Sequence, residues 1–261
     1  MFHRVDKMWR GDYLYLIQNL ILKDFRIRYR NMSLGVLWSL MNPLVMMGVL
    51  TFVFTKVFIN AIPHFPVFVL CGMIPYNFFA VAWIAGTTSI VDNAGLVKRV
   101  PVPREIVPIT TVLSNCVHLL IQICLLLAMV IFFYGVNRQW FWLPVVWALE
   151  IVFVCGLALL SSSINVYIRD TRYIVESANT VLFWLVPIVY DFSLVNPKYH
   201  QFYDMNPLAA IVLSLRRILL HAEGPNGPTY TLWKLAGVSF TVFAAGLLFF
   251  HRMKPRFYEH I

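Results

Sequence analysis

The sequence has little charge. Only 13% of its 261 residues are Asp, Glu, Lys or Arg, whereas 60% are hydrophobic. An ordinary soluble domain contains about 25% charged and about 45–50% apolar residues. The composition therefore excludes an ordinary globular enzyme, and the mean hydropathy of +0.72 indicates that lipid surrounds most of the chain.

Motifs that carry catalytic or cofactor chemistry are also missing. The sequence contains no Gly-x-x-x-x-Gly-Lys-Ser/Thr phosphate loop, no His-Glu-x-x-His metal motif and no Gly-x-Ser-x-Gly nucleophile motif. We therefore expect a chain that is not an enzyme by itself, does not hydrolyse ATP and binds no cofactor or metal.

The four cysteines form neither a metal pattern nor a redox pattern. Cys71, Cys116, Cys124 and Cys155 all lie in apolar runs, and none is spaced as in a zinc site or a redox pair. We expect them to pack as small apolar side chains.

What the sequence does contain is a series of long apolar runs. A bilayer core of about 30 Å needs about 20 apolar residues per helix, so the length allows roughly six spans with short connections. We predict an all-α integral membrane protein that forms a single domain over residues 1–261. The predicted spans cover residues 34–59, 65–91, 106–136, 140–168, 177–190 and 230–250.

The fifth predicted span is too short for an ordinary crossing. It has about 14 residues, which cover about 21 Å of helix, and Pro187 interrupts it. Residues 191–229 follow, with four prolines and an amphipathic stretch at 208–221 that is too short to span. We predict short re-entrant or interfacial helices there, on the outer face. The alternative is an ordinary outer loop with one surface helix.

The basic residues indicate the orientation of the chain. If the N-terminus is cytoplasmic, 15 of the 21 Lys and Arg residues lie inside, in segments 1–33, 92–105, 169–176 and 251–261. The positive-inside rule then places both termini in the cytoplasm. The same distribution explains the net charge of +9 without any nucleic-acid partner.

Segment 1–33 is predicted to form an amphipathic helix in the headgroup layer. Its basic residues Lys23, Arg26 and Arg30 recur at helical spacing, among apolar residues that can contact the acyl chains.

Few polar residues interrupt the spans. Asn115, His118 and Gln122 share one helical face, which either lines a pore or forms hydrogen bonds between helices; we favour the second interpretation. Glu150 is the one carboxylate within the predicted spans. We expect it to have a structural or gating role rather than to couple protons.

Two loops on the predicted cytoplasmic side have sequences that favour an ordered conformation. Residues 92–105 read DNAGLVKRVPVPRE, in which prolines and a glycine flank a short basic segment. Residues 167–176 read YIRDTRYIVE and are compatible with a helix. Each loop could simply hold basic residues on the cytoplasmic side, as the positive-inside rule requires. Together they offer two ordered docking surfaces on the side where ATP is available.

Four stretches resemble the membrane subunit of ABC-2 type exporters, specifically the permeases of O-antigen and related polysaccharide transporters. Their order and spacing extend over nearly the whole chain. They are FRIRYRNMSLGVLWSLMNPL at 25–44, GLVKRVPVPREIVP at 95–108, YIRDTRYIVESANTVLFWLVPIVYD at 167–191 and NPLAAIVLSLRRILL at 206–220.

The resemblance implies a homodimer in the bacterial inner (plasma) membrane, paired with two copies of a separate ABC ATP-binding subunit that holds the ATP and Mg²⁺. A lipid-linked polysaccharide would pass through a channel at the dimer interface. The resemblance also assigns residue roles. Docking to the ATPase is implied for Leu96, Val97, Lys98, Arg99, Arg104, Arg169, Asp170, Arg172 and Glu176. Contact with lipid headgroups is implied for Lys23, Arg26, Arg28 and Arg30. The candidate channel lining is Trp38, Phe52, Trp184 and Tyr190, and the candidate outer gate is Glu150, Arg216 and Arg217.

Other cargoes and other classes remain open at this stage. Within the family, the cargo is alternatively teichoic acid, capsule or a drug-like lipid, because the motifs mark architecture more than cargo. An integral-membrane enzyme acting on lipid-linked glycans would need a cluster of carboxylates, histidines or a nucleophile, and the sequence shows no such cluster. The scarcity of intramembrane charge disfavours an ion-coupled carrier.

Overall fold

The computed structural model describes residues 13–29, 37–57, 62–99, 103–221 and 229–257, in which helices predominate and no strand occurs. This confirms the predicted all-α class. The helices are α1 (Tyr13–Tyr29), α2 (Trp38–Phe52), α3 (Phe65–Asp92), α4 (Ala94–Arg99), α5 (Ile106–Phe133), α6 (Leu143–Tyr167), α7 (Thr171–Leu185), α8 (His200–Met205), α9 (Pro207–Arg216) and α10 (Thr229–Met253). Short 3₁₀ or π segments adjoin α2, α6 and α9 at Val53–Val57, Arg138–Trp142 and Arg217–His221.

Five of these helical segments are long and apolar enough to cross a membrane, counted over the described residues. They match the first, second, third, fourth and sixth predicted spans. Their bounds are Trp38–Val57, Phe65–Asp92, Ile106–Phe133, Arg138–Tyr167 and Thr231–Arg256.

Helix α7 does not coincide with the fifth predicted span, 177–190. Helix α7 already begins at Thr171, inside the predicted loop, where Arg172 and Glu176 form an ion pair of 2.8 Å one helical turn apart. It ends at Leu185 because Val186, which precedes a proline, adopts an extended conformation with ψ 136°. The 15 residues of α7 cover about 22 Å, so this helix alone is shorter than a bilayer core.

Helix α3 forms the centre of the bundle. In its most apolar stretch 72% of the residues are buried, compared with 6% in the segment that contains α2. Helices α2, α5, α6, α7 and α9 all pack against α3. Helix α2 therefore lies at the edge of the single chain, with most of its surface uncovered.

Helices α6 and α10 approach each other closely at two glycines. A Cβ atom on Gly156 would lie 2.6 Å from the backbone nitrogen of Phe243 and 2.7 Å from its Cα. A Cβ atom on Gly246 would collide with the carbonyl oxygen of Gly156. Glycine at these positions lets two backbones touch, as small residues do between membrane helices.

The ends of several helices meet at one end of the bundle, which we call the basic end. Lys23 of α1 donates a hydrogen bond of 2.6 Å to the side chain of Asn93, which caps α3. Arg104, before α5, donates to the carbonyl of Lys254, which follows α10, at 2.6 Å. Helices α1 and α10 thus reach the same end, which is also where α3 ends and α5 begins.

The opposite end of the bundle contains the loop after α5 and the end of α9. The side chain of Asn137 donates to the carbonyl of Ile218 at 2.8 Å, and Arg216 contacts the carbonyl of Phe68 near the start of α3. Since α7 begins at the basic end, the chain traverses the bundle between Thr171 and Arg216.

The close contact between α6 and α10 predicts that alanine lowers the stability of the protein at Gly156 but raises it at Gly237. Gly156→Ala should destabilise the protein by about 1–3 kcal/mol, since the added methyl group has to push α10 away. Gly237→Ala is the matched control on α10: nothing lies within 4 Å of its Cβ position, and alanine favours the helix by about 0.5–1 kcal/mol. Thermal unfolding of the purified variants in detergent measures both effects. Equal unfolding temperatures would contradict the packing described.

Candidate functional site

Helix α4 forms a short projection at the basic end. It follows α3 after a turn in which the backbone nitrogen of Leu96 donates to the carbonyl of Asn93 at 2.9 Å. Val97 is buried against the bundle, Leu96 is half-buried and Lys98 is exposed. The helix is therefore anchored on its apolar side and presents its basic side outward. The side chain of Arg99 lies outside the described part of the structure.

Arg104 does not share the exposed surface of α4. It is only 9% exposed, and its guanidinium is directed at the carbonyl of Lys254. The neighbouring Glu105 forms an ion pair of 3.2 Å with the ammonium of Lys254. Together these contacts attach the start of α5 to the end of α10, so the direct role of Arg104 is to fix the loop.

The second group of predicted docking residues lies at the base of α7. Arg169 and Asp170 are exposed just before the helix, and Arg172 is exposed and paired with Glu176 in its first turns. The preceding Tyr167 donates through its hydroxyl to the carbonyl of Met253 at 2.9 Å. This surface is therefore continuous with helix α7.

Helix α1 contacts this region as well. It packs along α5, and Lys23, predicted to meet headgroups, donates a hydrogen bond to Asn93 beside α4. Arg26 is exposed. The side chain of Arg28 and the whole of Arg30 lie outside the described part of the structure.

Three of the four candidate channel residues lie on open surfaces of the single chain. Trp38 and Phe52 of α2 are 51% and 63% exposed, and Trp184 of α7 is 64% exposed. Tyr190 is half-buried, and its hydroxyl lies 2.8 Å from the hydroxyl of Tyr203. Tyr190 therefore joins the segment after α7 to α8.

Arg216, a candidate gate residue, is an internal anchor at the end of α9. It is 3% exposed, and its guanidinium donates to the carbonyls of Ile188, Phe68 and Tyr190 at 2.6, 3.4 and 3.4 Å. The guanidinium carbon lies 3.4 Å from the ring centroid of Phe68, a cation–π contact. Arg216 thus holds the extended segment after α7 against α3.

The other two gate candidates lie in different surroundings. Arg217 is exposed and lines a cavity of about 210 Å³ together with Lys234, Phe192 and Tyr203. Glu150 is completely buried in α6, and neither carboxylate oxygen has a hydrogen-bond partner among the described residues. No ion pair within that part of the chain joins Glu150 to either arginine.

The polar face of α5 meets polar residues that sequence reasoning missed. Ser39 of α2 lies 2.8 Å from the Nδ1 of His118, and Gln122 donates to the Ser39 carbonyl at 3.0 Å. These contacts confirm the favoured interpretation of this face as one that bonds to another helix. The same residues also line a cavity with Asn42 of α2 and Asn77 of α3. The sequence contained a signal for this cluster, because Asn42 and Asn77 each interrupt one of the first two apolar runs.

The chain is similar to known transport proteins over most of its length. The profile of the ABC-2 type transporter family matches residues 15–220. The chain is 29% identical over 251 residues to an O-antigen export system permease protein of Klebsiella pneumoniae, covering 95% of this chain and 94% of that protein. An O-antigen export system permease protein of Myxococcus xanthus is 28% identical over 254 residues, with 96% of each chain covered. A polysialic acid transport protein of Escherichia coli is 23% identical over 206 residues, covering 75% of this chain and 78% of that protein. Because the profile spans more than half of its residues, the chain belongs to the ABC-2 type transporter family of membrane proteins.

Proposed function

We propose that this chain is the permease subunit of an ATP-driven exporter that moves a lipid-linked polysaccharide of the O-antigen type from the cytoplasm across the bacterial inner membrane. The observation that carries the proposal is the similarity to O-antigen export permeases over 95–96% of the chain. Polysialic acid transport, named for a relative that covers 75% of the chain, makes capsule export the second candidate.

In this proposal the basic end of the bundle faces the cytoplasm. The positive-inside rule supports that orientation, because α4, the base of α7 and the end of α10 contribute basic residues there. The fifth crossing consists of α7 and the segment that follows it, up to the residues whose carbonyls Arg216 binds. Non-helical backbone is tolerated at membrane depth where protein shelters it, and Val186, Ile188 and Val189 are buried. Helices α8 and α9 then form the outer gate.

The conduit is proposed to lie between two copies of the chain. Few residues of helix α2 are buried in the single chain, yet Asn42 is exposed about one turn after its start. A polar side chain is costly in hydrocarbon, so this surface fits a second protomer or a water-filled path better than lipid. The exposed rings of Trp38, Phe52 and Trp184 would line that path and contact the apolar faces of sugar rings.

The energy for transport comes, in this proposal, from two copies of a separate ATP-binding subunit that holds ATP and Mg²⁺. Its docking surface comprises α4 and the base of α7. Closure of the ATP-binding subunits would move α4 and, through the bond from Lys23 to Asn93, α1 with it. Helix α7 would carry the displacement to the segment held by Arg216 and open the outer end as a rigid-body change.

Reversing the charge of α4 tests the docking surface. The double substitution Lys98→Glu and Arg99→Glu should reduce copurification of the ATP-binding subunit and ATP-dependent export at least about tenfold, since like charges across an interface cost several kcal/mol. Arg138→Glu with Lys198→Glu makes the same charge change at exposed positions away from the basic end, and should leave both readouts unchanged. Equal loss in the two double variants would contradict the assignment.

Removing the anchor at the end of α9 tests the gate. Arg216→Met leaves the carbonyls of Ile188 and Tyr190 without their donor, and charge-assisted hydrogen bonds of this kind contribute about 1.5–3 kcal/mol each. We expect faster hydrogen–deuterium exchange in residues 186–191 and a lower unfolding temperature. Arg217→Met is the matched control on the adjacent, exposed arginine and should change neither. Unaltered exchange in Arg216→Met would show that this arginine does not hold the segment.

A further inference from the structure

A cavity whose wall is mostly apolar but includes several polar side chains lies between α2, α3 and α5. Its volume is about 200 Å³. The ten lining residues include no Asp, Glu, Lys or Arg, but six of them have polar, uncharged or weakly basic side chains. These six are Ser39, Asn42, Asn77, Asn115, His118 and Gln122.

On α3 and α5 the cavity lies well inside the helix, whereas on α2 its residues Trp38, Ser39 and Asn42 belong to the first turns. Asn77 follows the start of α3 by 12 residues and Asn115 follows the start of α5 by nine, which correspond to about 18 Å and about 14 Å of helix. Polar groups at this depth are expensive unless each has a hydrogen-bond partner. Hydrogen bonds between helices therefore explain a polar side chain here only if that side chain makes such a bond.

Hydrogen bonds within the protein account for part of the cavity wall. Ser39 binds His118, Gln122 binds the Ser39 carbonyl, and the Asn115 amide donates to the Thr111 carbonyl at 2.7 Å. In contrast, the Nδ2 atom of Asn77 has no hydrogen-bond partner within the described residues. This Nδ2 atom is itself buried. A half-turn of the amide exchanges its oxygen and nitrogen, so the amide atom of Asn77 on the side of the cavity is either an acceptor or a donor.

The mouth of the cavity is on the face that α2 leaves uncovered. Trp38 and Val81 are each about half exposed, at 51% and 50%, and Asn42 is exposed beside them. This is the face that the proposed function assigns to the conduit. The indole of Trp38 therefore lies at the mouth of the cavity, on the side of the proposed conduit.

The lining selects a chemical class of ligand. Side-chain amides, a hydroxyl and an imidazole both donate and accept hydrogen bonds, which matches the hydroxyl groups of a sugar. A carboxylate or phosphate placed here would meet no arginine or lysine to neutralise it, and burying an unpaired charge is far more costly than burying a hydrogen-bonded hydroxyl. The volume is several times the roughly 30 Å³ of one water molecule, the scale of one sugar ring.

We propose that this cavity is a side pocket of the conduit that binds one neutral, hydroxyl-rich sugar unit of the exported glycan. Asn77 and Asn42 bind its hydroxyl groups, and Trp38 packs on its apolar face at the mouth. The inference rests on the proposed function and sharpens it, since it makes the pocket select neutral over acidic sugar units.

The experiment measures equilibrium binding of sugar oligomers to the intact complex of permease and ATP-binding subunit in lipid nanodiscs. The probes are tetramers of glucose, galactose and mannose, with a sialic acid tetramer as the acidic counterpart. Wild-type complex should bind at least one neutral tetramer more tightly than the acidic one. Asn77→Leu should weaken that binding about tenfold, because the sugar hydroxyl loses its partner. Its unfolding temperature should not fall, because the Nδ2 of Asn77 has no hydrogen bond to lose.

Two further variants keep the test decisive. Asn165→Leu is the matched control: it removes a buried amide with an unpartnered oxygen from α6, outside the cavity, and should leave the binding constant unchanged. Asn42→Leu alters an exposed position at the mouth, so it tests the pocket without disturbing the core, and should also weaken binding.

Several results would overturn the pocket. These are wild-type binding in both Asn77→Leu and Asn42→Leu, an equal loss in Asn165→Leu, or preferential binding of the sialic acid tetramer. A wild-type complex that exports glycan with ATP but binds no tetramer would refute the pocket and leave the proposed function standing. A complex that neither binds nor exports any glycan would refute the proposed function itself.

Discussion

The structure depends on one constraint, which is that polar groups within the hydrocarbon core must be paired inside the protein. The chain meets it with apolar helices around α3, and it keeps few polar side chains within the spans. Those it keeps occupy defined places. Arg216 satisfies carbonyls of a non-helical segment, and Ser39, His118 and Gln122 join α2 to α5. The proposed gate and the proposed pocket lie where this pairing is concentrated or incomplete.

The constraint also explains how two distant surfaces are connected. Since a broken crossing needs protein around it, the segment after α7 is pinned to α3 by Arg216, and α7 itself is bound to α3 through the Tyr76 hydroxyl and the carbonyl of Asn179. The base of α7 lies at the basic end, beside Tyr167 and the end of α10. One rigid helix therefore links the surface proposed for ATPase docking to the proposed outer gate. Such coupling needs no chemistry in this chain, in keeping with a subunit driven by a partner.

The sequence predicted the spans well because apolar runs are local signals. The predicted 65–91 and 106–136 correspond to Phe65–Asp92 and Ile106–Phe133. At α7 the helix bounds differ from those of the apolar run. Residues 167–176 are compatible with a helix and α7 does begin at Thr171, but the extended Val186 before Pro187 ends it at Leu185.

The candidate site was less predictable, because the direction of a long polar side chain depends on what packs around it. Arg104 and Arg216 both turn inward to carbonyls far away in sequence, while their neighbours Lys98 and Arg217 face outward. Periodicity identified Asn115, His118 and Gln122 as one face of α5, but only the fold brings Asn42 and Asn77 to it. The proposed docking, channel and gate roles remain predictions.

The central claim is that this permease moves a polysaccharide only when a partner hydrolyses ATP. The most direct measurement reconstitutes the permease with its ATP-binding subunit in vesicles that contain a labelled lipid-linked neutral glycan, and follows cleavage of the glycan by a glycosidase confined to the far side of the membrane. The account predicts cleavage that requires both subunits and hydrolysable ATP. Cleavage by the permease alone, or protection of the glycan despite continued ATP hydrolysis, would contradict it.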